Sequence, residues 1–240
     1  MATHGKRYRA ARAAVDPAQR YTLDKALELL KQTTTAKFDE TVDIAVRLGV
    51  NPKQADQMVR GAVSLPFSAG KAVRVLVFAT GDAAKDALAA GAEFVGGDEL
   101  ITKIADEGWT DFDKAIATRA MMAKVGRLGR VLGPRGLMPN PKDGTVCAPE
   151  DVAKVVKEVK GGRVDFRVDK AGIVHAPIGK ASMTDTQLRE NIETLIRTLV
   201  RMKPSTAKGQ YLRTVAVSST MGPGIRLDAN EAARLGGMEG

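Results

Sequence analysis

The sequence has little of what covalent cross-linking or metal chemistry requires. Its 240 residues include one cysteine, Cys147, and two histidines, His4 and His175. A single thiol excludes an internal disulfide and a cysteine-based zinc site, and it fits a reducing compartment. Two histidines exclude a multi-histidine metal centre. We therefore predict a chain that has neither metal nor cofactor and is stabilised by its core alone.

Long apolar runs are absent as well, which bears on membranes. No apolar stretch approaches the roughly 18 residues that crossing a bilayer requires. The first residues, MATHGKRYRAARAAV, lack the apolar centre of a secretion signal, although a basic, acid-free start is also typical of organelle transit peptides. Because the globular pattern begins almost at once, we expect a cytoplasmic chain with no membrane partner.

Positive charge is what the sequence has in excess. Lys and Arg number 37 against 28 Asp and Glu, a net charge of +9. Residues 68–160 hold 14 basic and 13 acidic side chains, whereas residues 1–67 hold 11 and 7 and residues 161–240 hold 12 and 8. If the two ends fold together, their unit attracts polyanions such as nucleic acid. The alternative is that this excess only serves solubility.

Hydropathy patterns differ between the ends and the middle of the chain. Both ends alternate half-buried strands with amphipathic helices, and these segments are 23–30, 41–48, 163–169, 172–179, 184–202 and 210–220. In the middle, the apolar run VRVLVFAT opens a βαβ rhythm that predicts a three-layer α/β unit. This order indicates an inserted domain: residues 1–67 plus 161–240 form domain one and residues 68–160 form domain two. The alternative is three packed layers without mobility.

Several local signals refine this expectation. Gly70, Gly161 and Gly162 stand at the two junctions, where glycine suits a two-strand hinge. Thr184 and Gln187 predict a capping box at the start of the clearest helix. Two further interpretations are that Asn51-Pro52 opens a short helix ended by Gly61, and that Pro177 makes its strand an edge or a loop.

The most unusual stretch is GRLGRVLGPRGLMPNPKDG, residues 126–144. Its cations are Arg127, Arg130, Arg135 and Lys142. A glycine-rich basic loop can hold phosphates with its backbone N–H groups, but the ending of a P-loop and the dinucleotide fingerprint are both missing. A rigid surface loop shaped by three prolines is the alternative.

No catalytic constellation assembles from the sequence. His175 could orient Ser182, but a lone histidine in an alternating strand is more typical of a hydrogen-bonded or RNA-contacting residue. Asp98 and Glu99 stand at a predicted helix start, where carboxylates favour the positive end of the dipole. We therefore expect a binding protein, and the rival hypothesis is an enzyme that binds a nucleotide on the α/β unit.

Three segments near strand ends suit RNA. Lys37 and Phe38 in TAKFDET pair a cation with an aromatic ring just before a strand, although Phe38 could equally be a core residue. The cations around the turn in FRVDKAGIVHAPIGKASM are Arg167, Lys170 and Lys180. SSTMGPG ends a strand with hydroxyl groups and Met221, which can contact phosphate, ribose or base.

Taken together, four segments resemble the ribosomal protein L1 family in its bacterial form. They are TAKFDETVDIAVRL, GRLGRVLGPRGLMPNPK, FRVDKAGIVHAPIGKASM and VAVSSTMGPG, in the order of the family. The resemblance runs from about residue 5 to residue 228. The last residues, NEAARLGGMEG, lie outside it, and we expect them to form a loose tail.

The resemblance implies a fold and a function. Domain one becomes a two-layer α/β unit with a small antiparallel sheet, and domain two an inserted three-layer Rossmann-like unit. The family is not enzymatic: it binds the mobile rRNA stalk of the large ribosomal subunit near the E site and helps deacylated tRNA leave. Bacterial members also repress their own messenger by binding a similar RNA structure in its leader. The expected partners are therefore the stalk, E-site tRNA and the messenger leader, with the free protein a monomer.

The resemblance also implies site residues. Those carried over to the RNA face of domain one are Glu28, Lys37, Phe38, Thr41, Arg167, Asp169, Lys170, Gly172, His175, Gly179, Lys180, Ser219, Thr220, Met221 and Gly222. The cations of residues 126–144 are candidate contacts with tRNA or the outer stalk. No metal ligand and no catalytic residue is implied.

Overall fold

The computed structural model describes residues 5–67 and 73–237. The helices are α1 Lys6–Ala13, α2 Leu23–Thr33, α3 Asp82–Ala89, α4 Asp98–Glu107, α5 Arg119–Val125, α6 Gly129–Leu132, α7 Val152–Lys160, α8 Asp185–Arg201 and α9 Ala229–Leu235. The strands are β1 Thr41–Leu48, β2 Arg60–Ser64, β3 Val75–Phe78, β4 Phe94–Gly96, β5 Lys114–Thr118, β6 Val146–Cys147, β7 Arg163–Arg167, β8 Ile173–Lys180, β9 Leu212–Ser219 and β10 Ile225–Leu227.

The chain divides into two compact units. Unit 1 takes in the chain up to Gly70 and again from Val164, and unit 2 is Lys71–Arg163. These divisions lie three residues beyond the junctions expected from the sequence. Gly70 lies outside the described residues, whereas Gly161 and Gly162 end α7, and the φ of +107° at Gly162 is one that L side chains rarely adopt.

Unit 1 is built on four antiparallel strands in the order β10-β9-β1-β8. Alternate residues of β1 are buried, because Val42, Ile44 and Val46 pack in one core with the apolar stripes of α2 and α8. Asp43 and Arg47, which alternate with the buried residues of the strand, are exposed. The result is the expected two-layer unit, with helices against one face of a small antiparallel sheet.

Local signals position two elements of this unit as predicted. Thr184 and Gln187 form the capping box at the start of α8, each side chain accepting a hydrogen bond from the other's backbone N–H. Pro177 lies in β8, which is an edge strand, so its missing N–H costs the sheet no ladder bond. The register of β8 against β1 shifts between Val42 and Asp43, next to this proline.

Unit 2 has three layers around a parallel sheet of order β4-β3-β5-β6. All four residues of β3 are buried because the sheet is covered on both faces. Val75 and Val77 pack with α3 and α7, and Leu76 and Phe78 pack with α4 and α5. The α/β fold class with two differently built units is thus confirmed.

Two expectations about chain ends and turns are wrong. Residues 51–61 hold only a 3-10 turn at Ala55–Gln57, and Gly61 lies inside strand β2 rather than closing a helix. A Cβ on Gly61 would lie 2.8 Å from the Met202 methyl group, so the strand packs closely there because glycine has no side chain.

The first part of the segment expected to be a loose tail is helical: residues 230–235 belong to α9, and residues 238–240 lie outside the described residues. Asp228 caps α9 by accepting a hydrogen bond from the Asn230 N–H group, and Ala229 and Ala232 are buried against the core of unit 1. Its buried face is made of small residues, so its hydropathy pattern is too weak to predict a helix. The N-terminal helix α1 was likewise not predicted, since it buries none of its residues.

Candidate nucleic-acid interface

The antiparallel register brings three distant segments to one end of the sheet in unit 1. Thr41, where β1 begins, lies opposite Lys180, where β8 ends, and Val42 lies opposite Ser219, where β9 ends. We call the residues gathered here the strand-end platform, defined as 37–41, 180 and 219–222. It therefore unites the first predicted RNA segment with the third and with the end of the second.

Hydrogen bonds hold the platform together. The Thr41 N–H group donates to Thr220 Oγ1 at 3.0 Å, and the Thr220 N–H group donates to the Thr41 carbonyl oxygen at 3.0 Å. Lys180 Nζ donates to Thr41 Oγ1 at 2.8 Å. The positions of these groups are therefore set within the fold, which lowers the entropic cost of binding a ligand.

Glu40 is a buried residue of the platform and lies beneath its exposed side chains. Its side chain is 1% exposed and accepts hydrogen bonds from the Ala36 N–H group at 3.0 Å and from the Met221 N–H group at 2.9 Å. Burial raises the pKa of Glu40. The hydrogen bonds from Met221 and Ala36, the nearby Ser219 hydroxyl group and the positive charge of Arg7 all lower it, and their sum is larger, so the pKa lies below its ordinary value. An ionised Glu40 thus ties the segment of Phe38 to that of Met221.

Two large apolar side chains of the platform face solvent. Phe38 is 55% exposed and Met221 is 48% exposed. The exposure excludes the interpretation of Phe38 as a core residue. An exposed aromatic ring and a thioether beside Lys37 and Lys180 offer stacking surface and positive charge together, which is the chemistry that unpaired RNA bases and phosphates require.

The other cationic residues lie at the opposite end of β8, where the chain arrives from β7, a strand that pairs with β2 in a separate two-stranded sheet. Arg167, Asp169, Lys170 and Gly172 surround the turn between β7 and β8, and the Leu48 N–H group donates to the Gly172 carbonyl oxygen at 2.8 Å. Since β1 spans the distance between, this turn lies about 20 Å from the platform.

Asp169 shapes this turn. Its Oδ1 accepts hydrogen bonds from the Ile173 and Ala171 N–H groups, both at 2.8 Å, and these bonds lower its pKa, that from Ile173 most. His175 Nε2 lies 3.7 Å from Asp169 Oδ2 on the exposed side of β8. Gly172 has a φ of +80°, so the turn requires glycine. The predicted residues therefore form two groups along one sheet, with His175 between them.

Several predicted site residues have internal contacts. A Cβ on Gly179 would lie 2.6 Å from Leu188 Cδ2, so this glycine lets β8 pack under α8. A Cβ on Gly222 would lie 2.5 Å from Ser219 Oγ, and Ser219 itself is 4% exposed. Glu28 is exposed on α2 and pairs with Lys25 at 2.8 Å.

Sequence reasoning missed the residues that support the platform from below. Glu40 stands in the quoted segment TAKFDET, and Asp39 beside it accepts hydrogen bonds from the Ser182 N–H group at 3.1 Å and from the Ser182 hydroxyl group at 2.8 Å. The Ser182 hydroxyl group thus donates to Asp39 and joins the loop after β8 to the segment before β1. Carboxylates directly before a strand were the available signal, but their partners are distant in the sequence.

The basic segment of unit 2 is a loop only in its second part, residues 133–144. Residues 126–132 form a 3-10 turn and then α6, with Leu128 and Leu132 buried and Arg127 and Arg130 exposed. Helical hydrogen bonding directs these N–H groups along the helix instead of around a phosphate. Arg135 follows in a turn and donates to Thr110 Oγ1, and Lys142 lies in the 3-10 turn Pro141–Asp143.

The carboxyl edge of the parallel sheet carries acidic groups. Asp82 begins α3, and Asp98 and Glu99 begin α4, directly after strands β3 and β4. Asp82 pairs with Lys85 at 2.9 Å and Asp98 with Lys124 at 2.7 Å, so the helix ends where an α/β fold usually holds a phosphate already carry internal ion pairs. Among the described residues, no cluster of His, Cys, Asp and Glu has metal-binding geometry, and no helix is long and apolar enough to span a membrane.

Comparison with known proteins agrees with the fold. Residues 30–223 match the model of the Ribosomal protein L1p/L10e family. The chain is 61% identical over 228 residues to the Large ribosomal subunit protein uL1 of Syntrophobacter fumaroxidans (strain DSM 10017 / MPOB), which covers 95% of this chain and 96% of that relative. The molecule is thus a structural, RNA-binding protein of the large ribosomal subunit, a class that acts in translation and is not known for enzymatic activity. The chain belongs to the ribosomal protein L1 family.

Proposed function

We propose that unit 1 binds the mobile rRNA stalk of the large subunit near the E site. The observation that carries this proposal is the platform, where Glu40 ties the exposed Phe38 and Met221 segments into one surface. The turn between β7 and β8 extends this surface along the sheet. Both chain ends, which hold +8 of the net charge of +9, build this unit.

Two kinds of contact would divide the work. Lys37, Lys180, Arg167 and Lys170 neutralise phosphates and release counterions, which supplies salt-dependent affinity. Phe38 and Met221 stack on exposed bases or riboses and supply discrimination, because shape and 2′-OH contacts distinguish one folded RNA from another. Thr220 and Gly222 set the platform's shape through Thr41 and Ser219.

The finer biological role follows from this binding. We propose that the chain is ribosome-bound in the cytoplasm, assists the release of deacylated tRNA from the E site and is a monomer when free. Arg127, Arg130, Arg135 and Lys142 of unit 2 would contact tRNA or the outer stalk. The same platform would bind a similar structure in the leader of the chain's own messenger and repress its translation, so a leader transcript should compete with stalk rRNA for the protein.

Movement of unit 2 would accompany this role. The junction at Gly161 and Gly162, with Gly70 on the other connecting segment, would let unit 2 swing and uncover the RNA surface. Small-angle scattering of the free protein and of its rRNA complex tests this proposal. Different maximum dimensions are expected, and one unchanged protein envelope in both states would contradict it.

The direct test replaces the two exposed side chains. Phe38→Ala should weaken binding of a stalk rRNA transcript by about 1–3 kcal/mol, the value of one base stacked on an aromatic side chain. Met221→Ala should weaken the same binding by less, because a thioether has no aromatic face. Binding is measured by filter retention or calorimetry, with circular dichroism to show that the fold is intact.

A matched control is available in unit 2. Leu88 is 58% exposed, and Leu88→Ala removes a similar apolar surface without touching the platform. Its affinity for stalk rRNA should equal that of the wild type. If the platform variants lose as much affinity for an unrelated structured RNA as for the stalk, the proposed discrimination by Phe38 and Met221 is wrong.

A further inference from the structure

Every charged residue of helix α1 is a cation, and the proposed interface does not use this helix. Its eight residues, KRYRAARA, include Lys6, Arg7, Arg9 and Arg12, and no acidic residue. None of its side chains is buried, and only Tyr8 and Ala11 are even half-buried. Packing in the core therefore does not explain why this stretch is helical.

The helix is also poorly stabilised by its own sequence. An isolated helix of eight residues is marginal in water, and its N-cap, Gly5, provides no side-chain hydrogen bond. Lys6 and Arg7 stand at the positive end of the helix dipole, which is unfavourable for a cation. Lys6, Arg9 and Arg12 follow one another at i, i+3 and i+6, so their like charges repel.

Within residues 5–67 and 73–237, no carboxylate forms an ion pair with Lys6, Arg9 or Arg12. This row of charges is therefore exposed without an intramolecular counter-charge in the described structure. An external polyanion that neutralised the row would remove the repulsion along the helix. The same contact would favour the helical form of residues 6–13.

The position of α1 connects it to the platform. The helix packs against α2, and Val15, which follows it, is buried in the core of unit 1 at 4% exposure. The chain leaves α2 at Thr33 and reaches Lys37 of the platform four residues later. The Arg7 charge acts on Glu40 beneath the platform. An RNA held on the platform thus passes close to α1.

We propose that α1 is a second RNA contact, in which Lys6, Arg9 and Arg12 bind consecutive phosphates of the RNA strand next to the segment held by the platform. The inference rests on the proposed function of the platform and extends it. Because α1 has no apolar face, an anionic membrane surface is not the partner its composition favours. RNA binding should order the helix as well as gain affinity from it.

The test combines a charge variant with a salt titration. The triple variant Lys6→Gln, Arg9→Gln and Arg12→Gln loses about three phosphate contacts. Each lost contact makes the decline of log affinity with log salt less steep by about 0.9. The ratio of wild-type to variant affinity for a stalk rRNA transcript should therefore fall about 40-fold between about 50 and 200 mM salt. The full-length chain is used throughout.

The matched control removes the same charge from unit 1 elsewhere. Three exposed cations serve for this control: Arg197, Arg201 and Lys208. Helix α8 begins at Asp185, five residues after Lys180 of the platform, and Arg201 lies about 24 Å farther along the helix. Arg197→Gln, Arg201→Gln and Lys208→Gln together should leave the salt slope close to that of the wild type. Equal slopes for the two triple variants would overturn the inference and leave the proposed function standing.

Hydrogen exchange supplies an independent readout. The amides of residues 6–13 should exchange rapidly in the free protein and at least about tenfold more slowly in the rRNA complex, since the helix is marginal without its counter-charge. Unchanged exchange on a chain that demonstrably binds the transcript would refute the role of α1. A wild-type chain that fails to bind the transcript at all would instead refute the proposed function, and the inference with it.

Discussion

The two units place their charged and apolar side chains differently. In unit 1 the antiparallel sheet is covered by helices on one face, and its strand ends carry Lys37, Lys180 and two exposed apolar side chains. In unit 2 the parallel sheet is buried on both faces, and its strands run into helices that begin with Asp82, Asp98 and Arg119. Both of these carboxylates form ion pairs with lysines. An open sheet with cationic strand ends suits a polyanion, whereas the closed sheet has helix starts of mixed charge.

The difference also shows that fold type alone does not assign function. Unit 2 has the architecture that binds nucleotides in many enzymes, yet its sequence lacks the dinucleotide fingerprint, and Asp82 and Asp98 at its helix starts are held in ion pairs with lysines. Unit 1 has a simpler architecture but gathers segments from both chain ends into one surface. The side chains at the strand ends, and not the fold type, are therefore the basis on which we propose that unit 1 binds RNA.

Separating the units tests the comparison most severely. The chain without residues 68–160 should bind a stalk rRNA transcript within about tenfold of the full chain, a difference of at most about 1.4 kcal/mol. Residues 68–160 alone should bind at least about 10³-fold more weakly, as non-specific binding does. Filter binding at two salt concentrations measures both. Specific binding by the middle segment would reverse the assignment of the units.

Glu40 and Glu93 allow the two units to be compared by a single atom change. Glu40→Gln places an amide NH2 against an N–H donor in a buried site, so the free energy of unfolding should fall by about 1–3 kcal/mol. Glu93 accepts a hydrogen bond from the Val75 N–H group but its side chain is 37% exposed, so Glu93→Gln should cost less.

Denaturant titration can follow the units separately. The only tryptophan, Trp109, reports on unit 2, whereas circular dichroism reports on both units. Glu40→Gln should shift the circular dichroism transition and leave the Trp109 fluorescence transition in place. If Glu93→Gln lowers the free energy of unfolding more than Glu40→Gln does, the buried carboxylate of the platform does not contribute more to stability than the half-exposed carboxylate of unit 2.

The smallest expected effect is a dependence of stability on pH. The pKa of Glu40 is lower in the folded chain than its ordinary value of 4.5, so the unfolded chain binds more protons in this range. The stabilising contribution of Glu40 is then fully present above about pH 4.5 and is lost as the pH falls through the folded pKa. The stability gap between the wild type and Glu40→Gln should narrow on acidification, and a gap that widens would contradict an ionised Glu40.

Prediction from the sequence succeeded where a structure is local. The capping box of Thr184 and Gln187, the stripe of α8 and the apolar run of β3 depend on neighbours within a few residues, and all three are present. It failed at α9 and at β2, because small buried residues such as Ala232 and Gly61 carry little hydropathy signal. Burial of these residues depends on partners far away in the chain.

The site shows the same division. Residues such as Phe38 and Met221 could be named from the sequence, but Glu40 could not, because its hydrogen bond to Met221 spans 181 residues. Nor could the sequence show that Gly179 packs against α8 while Lys180 beside it reaches Thr41. The bulge next to Pro177 decides which of these neighbours faces outwards.

By itself, the sequence determined the fold class of this protein, the uneven distribution of its charge and the family to which it belongs, because composition, periodicity and motifs are properties of short stretches. The tertiary structure alone decided that residues 37–41, 180 and 219–222 form one surface. The physical reason is the antiparallel register, which sets the start of β1 against the ends of β8 and β9 and satisfies their backbone groups together.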